Sequence, residues 1–190
     1  MVLVVLVFPL AGCGKKPEAA PPEVYKSVAD FFPIKVGDRT VQMQLAVFPL
    51  EMQHGLMGRR DLGTDQGMIF LYESPTRMSF YMRNTPTPLD IGFFSADGQL
   101  REVFQMYPFD ERTVNSRSAS LQFALEMNQG WYKANDVKSG AQLDLKAIAT
   151  ALMRYGKNRM PLNRLRNLVL KLRMVAKYSA RAICSKDAAK

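Results

Sequence analysis

Two acids stand inside apolar runs, Asp90 in Leu89–Phe94 and Glu126 in Leu121–Met127, where an ionised side chain is rarely placed without a partner or a task. Upstream of Asp90, Asn84 and Thr85 precede Pro86, and Pro88 follows two residues on. The prolines fix their own φ and push Thr85 and Thr87 toward extended backbone. A stiff loop then presents an amide, a hydroxyl and the Asp90 carboxylate to a polar ligand. Arg59 is the candidate anion clamp for that ligand, or the charge partner of Asp90 or Glu126. The competing reading is structural. Asn and Asp beside proline satisfy backbone groups through Asx-type bonds, and Arg59 with Asp90 forms a fixed pair. The candidate ligand-binding set is therefore Arg59, Asn84, Thr85, Asp90 and Glu126. A hydrolase-like reading uses Asp90 or Glu126 as base and Arg59 to stabilise charge, and needs burial or a like charge to raise the carboxyl pKa.

Other chemistry is thinly supported. The chain has no Gly-rich phosphate loop, no G-x-S-x-G elbow, no paired CxxC and no HExxH. His54 is the single histidine, so a Ser-His-Asp set or a multi-His metal site would have to be built around it. Met52, Met57, Met68, Met78, Met82, Met106 and Met127 offer thioethers, but Met is commonly adaptable core filler. No metal and no cofactor is expected, and no residue is assigned as catalytic.

The elements that must position these residues follow from periodicity. Val41–Val47 alternates apolar and polar as a half-buried strand, closed by Pro49. Glu51–Met57 makes a short helix, kept short by Gly55 and Gly58. Strands are predicted at Gly67–Tyr72, Leu89–Phe94, Leu100–Tyr107 and Leu121–Met127, with Leu143–Leu145 as a last strand. Glu73–Thr76 reads as a turn, and Ala96-Asp97-Gly98 as a hairpin turn. Arg77–Met82 alternates, with Met78, Phe80 and Met82 on one face, and Gly130–Asn135 is a turn or short helix. The expected fold is α+β, mainly antiparallel β, in one domain over residues 34–146.

Four fingerprints occur in order along this domain: Gly55-Leu56-Met57-Gly58-Arg59, Gly67-Met68-Ile69-Phe70, the run from Phe80 to Phe93 containing Asn84-Thr85 and Pro88-Leu89-Asp90-Ile91, and Leu125-Glu126-Met127-Asn128-Gln129-Gly130. Over about residues 38–146 the chain resembles the DUF192 family, also called UPF0127, small and often secreted or membrane-anchored proteins. Tyr81 is a departure, since the family usually carries Trp there. The resemblance implies a β-rich α+β domain and brings no established activity with it.

The chain's two ends carry different information. Leu10-Ala11-Gly12-Cys13 follows the apolar run Val2–Pro9, the pattern of a bacterial lipoprotein signal over residues 1–12 with lipid on Cys13. The run is too short to span a bilayer. No Lys or Arg precedes Cys13, so a short basic stretch upstream of Met1 is expected. Residues 13–33, rich in Pro, Ala and charge, read as a tether. The lipoprotein pattern implies a place in the bacterial envelope on the periplasmic side, and by the sorting rule of lipoproteins in general Gly14 favours the outer membrane in a two-membrane cell.

The net charge is +9, but residues 151–190 hold 11 Lys/Arg against Asp187 alone, while residues 1–150 hold 15 against 16 acids. The basicity belongs to the tail, residues 147–190, and is no nucleic-acid signal. Leu162, Leu165, Leu168, Val169, Leu172, Val175 and Ala176 give the tail a basic amphipathic helix, opened by Pro161. Two readings stand: the helix is a contact for anionic lipid, or the tail is foreign to the domain. The chain is expected to be a lipid-anchored binding or accessory module without catalysis. The alternatives are an extracytoplasmic hydrolase-like enzyme and a structural envelope protein.

Overall fold

The alternating stretch around Met43 forms the second strand of a six-stranded sheet. In the computed structural model, which describes residues 29–157 and 159–187 (side chains only as far as Tyr178), the elements in chain order are β1 (Phe32–Val36), β2 (Arg39–Ala46), α1 (Pro49–His54), β3 (Gln66–Thr76), β4 (Ser79–Phe80), β5 (Leu89–Ser95), β6 (Leu100–Met106), β7 (Val114–Asn115), β8 (Leu121–Asn128), α2 (Trp131–Ala134), α3 (Leu145–Gly156) and α4 (Leu162–Asp187). The sheet order is β1-β2-β3-β8-β5-β6, and β4 pairs with β7 as a separate ribbon. All pairs are antiparallel except β2 with β3, which are parallel. A parallel pair needs a crossover, and α1 with its flanking loops supplies it. The fold is thus α+β with mostly antiparallel strands. Cys13, the signal and nearly all of the tether lie outside the described residues.

The central strands explain their own composition. Every residue of β8 from Leu121 to Met127 is buried, as is every residue of β5 from Leu89 to Phe94. Strands covered on both faces read as unbroken apolar runs. One face is roofed by aromatic side chains from β4: Phe80 meets Phe70 at 4.9 Å and Phe93 at 5.8 Å between ring centroids. The other face receives the helices, with Tyr155 of α3 edge-on to Phe32 of β1 at 6.4 Å.

Three elements differ from the sequence reading. β1 begins at Phe32, inside the stretch read as tether, because Phe32, Ile34 and Val36 bury on one face while Pro33 and Lys35 stay outside. β3 continues through Glu73–Thr76 with a shift of register, where a turn was expected. Leu143 makes only an isolated bridge to Val36, and Asp144 caps α3 by accepting hydrogen bonds from the amides of Lys146 and Ala147 at 3.0 and 2.9 Å.

α3 and α4 pack on each other and on the sheet. Leu165, Leu168, Val169 and Leu172 join the same buried cluster as the strands. Leu162 of the amphipathic set is exposed, and Val175 and Ala176 are partly buried. Among the described residues no helix is long and apolar enough to cross a membrane.

Candidate functional site

The five sequence-derived residues do not converge on one point. Asp90 opposes Met127 across β5 and β8, whereas Glu126 opposes Ile91. Directly opposed residues share a face and neighbours along a strand alternate. The two carboxylates therefore point to opposite sides of the sheet.

On its side Asp90 is structural. It is buried, and its Oδ2 accepts the backbone N–H of Gly130 at 2.8 Å. Gly130 sits at φ 86°, where any other residue would be strained, and opens the turn into α2. Burial pushes the Asp90 carboxyl up and the Gly130 bond pulls it back. Its second oxygen is buried without a partner. Two of the fingerprints, the one holding Asp90 and the one ending at Gly130, are thus joined by a single hydrogen bond. Next along β5, Gly92 leaves room for Tyr132, whose hydroxyl would lie 2.4 Å from a Cβ and instead donates to the Leu125 carbonyl at 2.8 Å.

Arg59 pairs with neither acid. Its Nε donates to Asp61 at 2.8 Å and its Nη1 to Gln44 Oε1 at 3.0 Å. Its carbonyl accepts the Thr87 hydroxyl at 2.7 Å, and the neighbouring Gly58 N–H donates to the Asn84 carbonyl at 2.8 Å. Asn84, at φ 54°, serves the turn itself. The first and third fingerprints are therefore stitched together through backbone.

Glu126 is different. It lies between Ile91 on β5 and Met68 on β3 and is 5% exposed. Unlike Asp90 Oδ1, its carboxyl oxygens are not both buried and unpartnered among the described residues. Burial alone pushes it up to about 8, so at neutral pH it is largely the neutral acid. Its remaining exposure opens into a cleft of about 250 Å³ whose lining includes His54, Phe70, Tyr72, Phe80, Tyr81 and Thr85. Tyr72 is itself pushed up, first by burial and then by the Glu126 charge.

Local structure explains each wall. Pro49 starts α1, and Glu51 Oε2 accepts the amides of Val47 and Phe48 at 3.0 and 3.1 Å, fixing the helix start. Gly55 ends the helix at φ 50° close against Phe70, where a Cβ would stand 3.4 Å from its ring and 3.9 Å from Glu126 Oε2. Glu51 also accepts the Tyr155 hydroxyl and pairs with Arg159 at 3.3 Å, so α1 is braced by α3 and by the connection to α4.

Of the five candidates, Thr85 and Glu126 meet in the cleft; the Arg59 guanidinium, Asn84 and Asp90 lie outside its lining. The aromatic lining was missed, although Phe70 and Tyr72 stand at the strand period of two. A larger groove of about 520 Å³ between Gly37–Arg39 and Asn135–Ala141 is bounded by turns, and Val137 is its one buried lining residue. Among the described residues no three His, Cys, Asp or Glu side chains cluster as metal ligands.

The sequence profile of DUF192, described as "Uncharacterized ACR", matches residues 32–145, more than half of the chain. The chain belongs to the DUF192 family. No curated protein matches it. Among solved structures, this DUF192 chain is similar to a protein of unknown function from Novosphingobium aromaticivorans, at 32% identity and a TM-score of 0.59, over 69% of this chain and 99% of that one. It is also similar to a proposed transcription regulator from Sinorhizobium meliloti, at 29% identity and a TM-score of 0.59, over 64% and 97% of the two chains.

Proposed function

We propose that this DUF192 protein is a lipid-anchored envelope module that holds a small ligand, without turning it over, in the cleft above Glu126. The observation that carries the reading is the Glu126 carboxyl itself, 5% exposed and lining the cleft. In so dry a site a ligand group that hydrogen-bonds the carboxyl makes a stronger contact than it would in water. The cleft is below the roughly 300–1,000 Å³ of drug-sized pockets, so its occupant is small.

The hydrolase-like alternative keeps Glu126 as a base raised by burial but loses Arg59 as its charge stabiliser. Asp90 and Glu126 face opposite ways, and Arg59 is committed to Asp61 and Gln44. The transcription role proposed for the Sinorhizobium protein has no charge basis in residues 1–150, which hold 15 Lys/Arg against 16 acids. Envelope attachment is supported by the Leu10–Cys13 pattern behind its apolar run.

Two experiments test the reading. Fragment screening by NMR on the full chain is expected to shift amides of residues 52–57, 79–85 and 126. Shifts scattered elsewhere, or none, would reject the cleft as a site. Intact mass from the membrane fraction is expected to show a chain starting at an acylated Cys13, lost in Cys13→Ser; an unmodified soluble chain would reject the anchor.

A further inference from the structure

We infer that the cleft over Glu126 takes a small organic cation, a protonated amine carried on an apolar body. The inference rests on the reading of the cleft as a binding site and names the chemistry of its ligand.

The lining carries one carboxyl and no Lys or Arg. The other titratable groups in it are His54, Tyr72 and Tyr81. The Arg83 guanidinium covers the Tyr81 ring at 5.2 Å and is paired with Glu111 at 2.9 Å. Arg59, the anion clamp expected from sequence, is bonded to Asp61 and Gln44 and is not in the lining. With no Lys or Arg in the lining, an anionic ligand would find no fixed positive charge there to pair with. An ammonium meets the opposite case. It ionises Glu126 on entry, the displaced proton leaving to solvent, and the two opposite charges then satisfy each other where neither could stand alone.

The rest of the lining suits the organic part of such a ligand. Phe70, Tyr72, Phe80 and Tyr81 supply ring surface, whose negative faces attract cations within about 6 Å. Met52 and Met57 add polarisable apolar surface that adapts to shape. A bare metal ion is the poorer fit, since one carboxyl among rings and thioethers does not make the several oxygen ligands that hard cations require.

The test titrates the full chain with benzylamine and with benzyl alcohol, its uncharged counterpart of the same size, following cleft amides by NMR at pH 8. Benzylamine is expected to bind at least tenfold more tightly than benzyl alcohol. Glu126→Gln, which keeps size and polarity, is expected to remove that preference while leaving benzyl alcohol binding unchanged. Thr85→Val, which keeps the carboxyl, is expected to retain it. Equal binding of the two probes by the unaltered chain would overturn the cation assignment and leave the cleft standing. Failure of both probes to shift any cleft amide would overturn the cation assignment and the cleft together.

Discussion

Asp90 and Glu126 stand one step out of register on neighbouring strands, Asp90 opposite Met127 and Glu126 opposite Ile91, and so serve opposite faces of the sheet. That offset divides their roles. Asp90 closes a backbone turn by way of Gly130, and Glu126 faces a cleft.

If Asp90 is a latch, removing it costs stability and leaves the cleft alone. Asp90→Ala is expected to destabilise the domain by about 1–3 kcal/mol, the range for orphaning a buried donor. Asp90→Asn keeps an acceptor for the Gly130 N–H and is expected to cost less. Urea denaturation reads both, and unchanged fragment shifts at residues 52–57 confirm that the cleft survives. A loss of cleft binding in a fully folded Asp90→Asn chain would place Asp90 in the site after all.

Glu126 sets a pH dependence of stability. Its folded-state value of about 8 lies above the ordinary 4.5, so between those values the folded chain holds a proton that the unfolded chain has lost. Stability therefore falls as pH rises from about 5 to 8 and levels off above that. Glu126→Gln is expected to flatten this slope, stabilising the domain by roughly 2–4 kcal/mol at pH 8 and by little at pH 5. Thermal unfolding across pH 5–9 checks it, and identical slopes for the two chains would contradict it.

Much of this arrangement is legible in the sequence. The alternation in β2, the β5–β6 hairpin with its turn at Ala96–Gly98, and the apolar run of β8 all come through period and turn chemistry. Three of the four fingerprints mark residues that stitch the fold: Gly130 to Asp90, Gly58 to Asn84, Thr87 to Arg59. The roles of Arg59 and Asp90 were not legible, because register decides which acid faces which side and register depends on the partner strand. β1 was hidden by Pro33 in a proline-rich stretch; as the outermost strand of the sheet it tolerates a residue with no N–H to donate. The start of α3 was hidden because Leu143-Asp144-Leu145 also fits a strand, and only the amides that Asp144 caps tell them apart.

Tyr155 links the residues beyond the family match to the cleft wall. Its hydroxyl donates to Glu51, which also fixes the start of α1, and burial and the Glu51 charge push the hydroxyl up. Tyr155→Phe is expected to cost about 1.5–3 kcal/mol, as for a hydrogen bond to a charged group, and to broaden the NMR signals of residues 49–57. A chain ending at residue 146 would expose Phe32 and Ile34 and is expected to lose more. Full stability in the truncated chain would show that α3 and α4 are dispensable.

α4 keeps a second face outward. Leu162, Leu170, Met174 and Tyr178 are exposed by 65%, 54%, 57% and 62%, at multiples of four residues, with Arg166, Arg173 and Lys177 also exposed. Apolar anchors among basic residues suit an anionic lipid surface, at about 1 kcal/mol per basic residue. The Cys13→Ser chain is expected to bind vesicles containing phosphatidylglycerol and not those of phosphatidylcholine alone, with binding lost in 0.5 M salt and in Leu170→Ser/Met174→Ser. Equal binding to both vesicles would remove the electrostatic part.

The most direct measurement is the titration of the Glu126 carboxyl carbon by NMR, with and without benzylamine. The account predicts a midpoint near 8 in the free chain, falling when the amine is present. A midpoint near the ordinary 4.5 in both samples would mean that Glu126 is already ionised and satisfied, and the cleft would lose the group on which its function rests.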